Sequence, residues 1–254
     1  MKSYGSIPHL PGSRTGPADT TISFGQFAIA TSSSRDKHDI VIVQEKLDGS
    51  CVSVAKIDGL IVPLIRAGYR AEASVFMQHH YFAKWAMQPE NYMRFHELLN
   101  ESERACGEWL LQAHGTRYDL PHEPFVLFDI MTEHTRITYD QLIARAAAHN
   151  FITPNTVSVG PPVSITDAMQ MVSQSKHGAI DPVEGAIWRV ERNLRLYKNG
   201  KAIRRTFDFV AKYVRHDKQD GIYLPEVSGI KPIFNMPLDL VTLYNATLSN
   251  KVRL

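Results

Sequence analysis

The stretch from Asp39 to Ala67 leaves this chain few folds to choose from. "DIVIVQE" is a short apolar run, "SCVSVAKI" alternates apolar with polar residues, and "LIVPLIRA" returns after the pair Asp58-Gly59. A period of two sends successive side chains to opposite faces of a strand. A two-residue Asp-Gly connection joins antiparallel neighbours, because both turn residues tolerate positive φ. Pro63 has no N–H to donate, so the third strand belongs at a sheet edge or a bulge. An antiparallel sheet is therefore expected.

Between the first two strands lies "QEKLDGS", with Lys46 at a strand end, Glu45 before it and Asp48-Gly49 after it. Such a lysine is either an exposed turn residue or a nucleophile set into the interior, and its company must decide.

Residues 1 to 38 are rich in Pro, Gly, Ser and Thr and read mostly as loop. Residues 72 to 103 carry apolar positions at helical spacing, divided at Pro89. "GEWLLQA" and "PFVLFDIM" read as strands, the second so apolar that a central place is expected. Thr138 is the expected cap of a helix over "TYDQLIARAAAHN", and a second helix is expected to run from a Thr166 cap to a Gly178 stop. "EGAIWRV" is another strand, Asn199-Gly200 marks a hairpin turn, and "FDFVAKYVR" closes the pattern. The expected class is α+β, antiparallel sheets with packed helices, over residues 1–215. Residues 216–254, with three prolines and the weak helical stretch "LDLVTLYNATL", are expected to form a short tail on that domain, too short for a further barrel.

Composition removes several classes. Of the 254 residues 44% are hydrophobic and 21% charged, which is globular and not disordered. Cys51 and Cys106 are too few for a disulfide framework, no Cys/His cluster has zinc spacing, and both read as small core residues. There is no apolar leader and no run of 18 apolar residues, so a soluble cytoplasmic protein without a membrane partner is expected. Net charge is only +2, yet residues 189 to 218 hold ten Lys/Arg against three Asp/Glu, a local +7 that leaves −5 elsewhere. That segment is either a solvated hairpin or a surface for a phosphate-rich partner.

Ordered along the chain after Lys46 are Arg66 in "RAG", Glu108 in "GEW", Phe128 and Asp129 in "FDI", Glu184 in "EGAIW" and Lys212 in "AKYV". This set resembles the motifs of the covalent lysyl-nucleotidyltransferase superfamily of polynucleotide ligases and capping enzymes. Within it the similarity is greatest to the ATP-dependent RNA ligase family of phage and bacterial type. The Ser after "KLDG" is like an RNA ligase, whereas the DNA ligase pattern has an Arg at the position of Cys51.

The resemblance implies a nucleotidyltransferase (adenylation-domain) fold, here expected without an OB domain. It implies ATP and Mg²⁺ or Mn²⁺ as cofactors, and RNA ends bearing 5′-phosphate and 3′-hydroxyl as partners. Lys46 would become lysyl-AMP, Asp48 would orient it, and Glu45 would join the nucleotide site. Arg66 and Glu108 would hold the ribose hydroxyls, Phe128 would stack on adenine, and Glu184 would bind the metal. Lys212 would hold the α-phosphate, and the basic hairpin would follow an RNA backbone. A lysine nucleophile must be neutral, a shift from about 10.4 towards 7 worth roughly 4 kcal/mol, so burial and neighbouring cations are expected around Lys46.

Other readings stand beside these. Phe128 suits a core, Glu184 suits an ion pair with Arg189, and Asp129 reads as structural. His79, His80 and His114 read as packing or surface residues. The family's last motif has a first lysine where this chain has Val210, so Lys198, Lys201 or Arg204 are candidate substitutes, with His9 and Arg14 as candidate triphosphate ligands. A DNA nick ligase, a GTP-dependent capping enzyme and a degenerate nucleotide- or RNA-binding module remain alternatives.

Overall fold

The computed structural model describes residues 4–195 and 203–237. Strands β1 (Asp39–Lys46), β2 (Ser50–Ile57) and β3 (Leu60–Ile65) form where the alternation places them. Asp58 and Gly59 take φ of 51° and 74°, as a tight hairpin requires. Strands β4 (Glu103–Trp109), β5 (Phe125–Thr132) and β6 (Thr135–Arg136) complete a five-stranded sheet of order β3-β2-β4-β5-β6. Pro63 thus lies on an edge strand. The second sheet joins β1 to β7 (Thr156–Gly160), β8 (Gly185–Arg195) and β9 (Ile203–Val214) in the order β7-β1-β8-β9. Every pairing within these ladders is antiparallel. The α+β class holds.

Each sheet buries one face under helices. Helices α2 (Met77–Ala86), α3 (Pro89–Leu98) and α4 (Tyr139–Ala148) cover the five-stranded sheet, around a core of Val52, Val54, Phe82, Phe95, Trp109 and Phe125. Pro89 opens α3 at its first turn, where a missing N–H costs nothing. Helices α1 (Phe24–Thr31) and α5 (Ile165–Val172) cover the four-stranded sheet, around Val41, Val43, Trp188 and Val190. The other faces of both sheets line one cavity of about 900 Å³.

Several elements depart from expectation. Helix α1 lies inside the segment read as loop, opened by a capping box in which the Ser23 hydroxyl takes the Gln26 N–H and Gln26 returns a bond to Ser23. Strand β7 was not expected. Helix α5 is capped by Ser164, which accepts from the Asp167 N–H at 3.1 Å, and it ends at Val172; Thr166 is inside it and Gly178 well beyond. Strand β4 runs four residues earlier than the apolar pattern shows, so Glu108 sits near its end rather than its start. Its polar entry is buried with partners: Glu103 pairs with Arg145 at 2.6 Å, and Arg104 donates to the Glu133 carbonyl. β4 is the centre of its sheet and β5 lies one strand out. The Asn199-Gly200 turn, Lys198, Lys201 and "LDLVTLYNATL" lie outside the described residues. Among the described residues no helix is long and apolar enough to cross a membrane.

Candidate active site

Strand alternation decides which side chains reach the cavity. On β1 the even positions Gln44 and Lys46 face it, while Val41, Val43 and Glu45 face the other way. Glu45 is buried there, accepting a bond from the Ser175 hydroxyl. What Glu45 presents to the cavity is therefore main chain, whose N–H donates to Asn155 O at 2.9 Å. On β8 and β9 the cavity-facing positions are Ile187, Arg189, Val210 and Lys212.

Lys46 ends β1 opposite Gly185, the first residue of β8, and this register brings Glu184 to it. Lys46 Nζ stands 2.5 Å from Glu184 Oε2 and 3.4 Å from Leu47 O. Glu108 accepts from the Gly49 N–H at 3.1 Å. Gly49 itself has no room for a side chain, since a Cβ would lie 2.5 Å from Trp109 O. The Asp48 carboxylate accepts from the Gly115 N–H at 2.9 Å and from Lys218 Nζ at 2.6 Å.

Phe128 reaches the cavity through a bulge. Cys106 pairs with Asp129 and Gly107 with Leu127, which leaves Phe128 as the extra residue on β5. Bulges turn side chains out of a strand's regular alternation, and here an aromatic ring in an apolar strand is turned into the cavity. The ring packs edge-on against Tyr4 at 5.0 Å. Arg66 lies on the exposed rim, donating to Ser6 Oγ at 2.9 Å. Lys212 is anchored beside residues 8–10, which pair with its main chain, and its Nζ is 3.9 Å from Asp19.

The electrostatics reverse one expectation. Burial alone would lower the Lys46 pKa, but the charges of Glu184, Glu108 and Asp48 outweigh it and hold the ammonium above its ordinary value. Burial pushes Glu108 up to about 7 and also raises Glu184, with Lys46 pulling both back. Burial and the nearby Lys46 charge lower Lys212. The chain's own side chains thus keep Lys46 protonated: the three carboxylates reach it more strongly than the cations do.

Among the described residues no group of three or more His, Cys, Asp or Glu side chains converges as a metal cage. Magnesium commonly takes one or two carboxylates, with substrate phosphates and water completing its shell. Glu184, with Asp48 and Glu108 near, fits an ion of that kind.

Other candidates are placed elsewhere. Glu184 does not pair with Arg189, which bonds Asp129 at 3.1 Å and Glu191 at 2.7 Å. Asp129 also takes Arg136 at 2.6 Å. His9 is buried against Ser13 and Asp19, and Arg14 pairs with Asp220; neither lines the cavity. His79 and His114, read as packing or surface residues, do line it. His79 sits between the Ser50 and Ser74 hydroxyls, and His114 bonds Gln78 at 2.7 Å. No spacing rule joins residue 79 to residue 114; α2 packing against the sheet brings them together. Cys106 is buried and Cys51 half-buried on the cavity wall, and burial pushes both thiols up. Among the described residues of the basic segment, Arg192, Arg205 and Arg215 pair with Asp36, Asp140 and Asp217. Arg204 is exposed, with no ion-pair partner among the described residues.

Two antiparallel sheets thus close on a strand-end lysine, with acids from separate strands around it. The RNA ligase family model matches residues 39–214, and the chain belongs to that family. No curated protein matches the chain. Among solved structures it is similar to an archaeal ATP-dependent RNA ligase, at 16% identity over 83% of this chain and 48% of the other, TM-score 0.47. A Naegleria gruberi RNA ligase mutant with ATP and Mn is 17% identical over 71% and 51%, TM-score 0.47. A putative ATP-dependent DNA ligase from Aquifex aeolicus is 14% identical over 69% and 43%, TM-score 0.39. The chain spans about half the length of the solved structures it matches.

Proposed function

We propose that this chain is an ATP-dependent RNA ligase working through a lysyl-AMP at Lys46. The observation that carries the reading is Lys46 Nζ, 2.5 Å from Glu184 at the end of β1, inside a cavity whose other wall brings Glu108 and Phe128. In the first step Nζ attacks the α-phosphorus of ATP, the bond to the β,γ-phosphates breaks, and pyrophosphate leaves. In the second an oxygen of an RNA 5′-phosphate attacks the same phosphorus and displaces Lys46. In the third an RNA 3′-hydroxyl attacks the activated 5′-phosphorus, and AMP departs.

Arg66 and Glu108 hold the ribose, Phe128 stacks on adenine, and the Glu45 main chain borders the base. Lys212 binds the α-phosphate and offsets charge as pyrophosphate leaves. A divalent ion, Mg²⁺ or Mn²⁺, neutralises phosphate charge when bound at Glu184. Glu184 is also the group in reach of the Lys46 proton, which must leave before attack. The substrates are RNA ends, and the reading assigns the reaction to the cytoplasm. Residues 1–215 form the nucleotidyltransferase domain on this reading.

The test is incubation with α-labelled ATP and Mg²⁺ beside Lys46→Ala, then denaturing electrophoresis. Label on the wild type alone, discharged by pyrophosphate, is expected, followed by sealing of 5′-phosphorylated RNA. Label from GTP alone would redirect the reading to capping, and sealing of nicked DNA alone to a DNA ligase. A folded protein that takes no label from either nucleotide overturns it in favour of a binding module.

A further inference from the structure

Lys218 stands four residues beyond the span that matches the family model. Its side chain is nonetheless buried, at 3% exposure. Its Nζ lies 2.6 Å from Asp48 Oδ2 and donates to the Thr116 hydroxyl, itself fully buried. Asp48 Oδ2 also takes the Gly115 N–H at 2.9 Å. The packing there is close: a Cβ on Gly115 would meet Gln219 O at 2.5 Å and both Asp48 Oδ2 and Lys218 Nζ at 3.0 Å.

The segment carrying Lys218 is fastened to the loop after β4. Tyr223 N–H donates to His114 O at 2.8 Å, Ala113 N–H to Ile233 O at 2.9 Å, and Asn235 N–H to Leu111 O at 2.9 Å. The Asn235 amide adds bonds to Leu110 O at 2.7 Å and from the Tyr118 N–H at 2.9 Å. Asp220, Gly221, Leu224 and Val227 of the segment line the cavity beside Asp48. Residues 216–254 were expected to be a tail packed on the domain; four residues of the described part also wall the site. Val210 stands where the family's motif has a lysine, and Lys218 brings a further cation to Asp48.

We propose that Lys218 is a positioning residue for nucleotidyl transfer: residues 216–237 deliver its ammonium to Asp48 and fix that carboxylate beside Lys46. The inference rests on the ligase reading. Lys218 bonds neither Arg66, Phe128 nor Glu108, so its loss alters the reacting end of the site and leaves nucleotide binding in place. A half-buried carboxylate stripped of its ion-pair partner reorients towards whatever donor remains.

The experiment uses the full chain as wild type, Lys218→Met, Asp48→Asn and the double variant, each checked by thermal melting. Lysyl-AMP formation is followed with α-labelled ATP, giving a rate at saturation and a KM for ATP. The expected result is a rate at least tenfold lower for Lys218→Met, with KM within about twofold. In the Asp48→Asn background the same substitution is expected to cost less than about twofold, because groups acting as a unit are not additive. A wild-type rate for Lys218→Met overturns the inference, and so does an equal loss in both backgrounds, which would make the segment a general support only. Should Lys218→Met not fold, Lys218→Gln, which keeps a donor and drops the charge, takes its place in the cycle. A wild type that takes no label overturns the ligase reading itself, and this inference with it; label on the wild type separates the two.

Discussion

Two clusters of charge lie on the inner walls of this molecule, and they are built differently. In one, Asp129 and Glu191 are locked by the guanidiniums of Arg136 and Arg189, which stack on Tyr4 and Phe207. In the other, Lys46, Lys212 and Lys218 face Glu184, Glu108 and Asp48. A guanidinium is a planar fork that stays charged and fixes geometry; an ammonium is a point charge that gives up its proton when its surroundings change. The arginine cluster is suited to holding the sheets together, and the lysine cluster to chemistry. Distance from the cavity does not separate them, since Asp129 and Arg189 line it too. The cation type does.

Glu184→Gln tests the chemical side. It should lower lysyl-AMP formation at least a hundredfold, while the urea midpoint moves little, because Glu108 and Asp48 still surround Lys46. Equal loss of stability and activity would erase the distinction between the clusters. Asp129→Ala tests the other side. It leaves the buried Arg189 and the half-buried Arg136 short of a partner and should cost about 3–5 kcal/mol in denaturant unfolding.

The buried histidines sharpen the holding side with pH. His177 accepts from the Asn155 N–H and meets His122 at 2.8 Å, just behind Ser175 and Glu45. Burial lowers His177 to about 4, with the His122 charge adding to it, and lowers His79 to about 4 as well. Both pKa values are depressed on folding, so the unfolded chain binds protons first as pH falls. Stability is then full above about 6.5 and declines towards 4, by up to about 1.4 kcal/mol per pH unit for each ring. His79, the less enclosed of the two, should give less. Urea midpoints at pH 7 and 5, compared with His177→Gln, measure the slope; a flat profile would remove these rings from the holding set. The smallest effect is expected at Arg205→Ala. It breaks an ion pair to the exposed Asp140 and should change stability by about 0.5 kcal/mol or less.

The elements that were legible are those whose signals are local. Alternation and the Asp58-Gly59 turn place β1 to β3, and Thr138 with Gln141 forms the capping box that opens α4. The missed elements had local signals outweighed by composition. Ser23-x-x-Gln26 is a capping box inside a segment whose prolines, glycines and serines read as loop. Glu103 and Arg104 hid the start of β4 because burial of charge is legible only when Arg145 and the Glu133 carbonyl are known to meet them. At the site, the order of Lys46, Arg66, Glu108, Phe128, Glu184 and Lys212 could be read, and all six line the cavity. The Phe128 bulge, the two cavity histidines and Lys218 depend on cross-strand register and on a segment returning over a hundred residues later.

The sequence by itself determined which residues can pair, turn or react. Those properties belong to a residue and its near neighbours: a period of two, a positive φ, an amine that can become a nucleophile. The tertiary structure decided the charge on that amine. Lys46 meets Glu184 from a position 138 residues away, and Glu108 reaches it from another strand. Coulombic energy depends on separation in space and on burial, neither of which spacing along the chain records. Its neighbouring acids and Lys212 could be named from the sequence, but the balance of their charges at Lys46 comes from the fold.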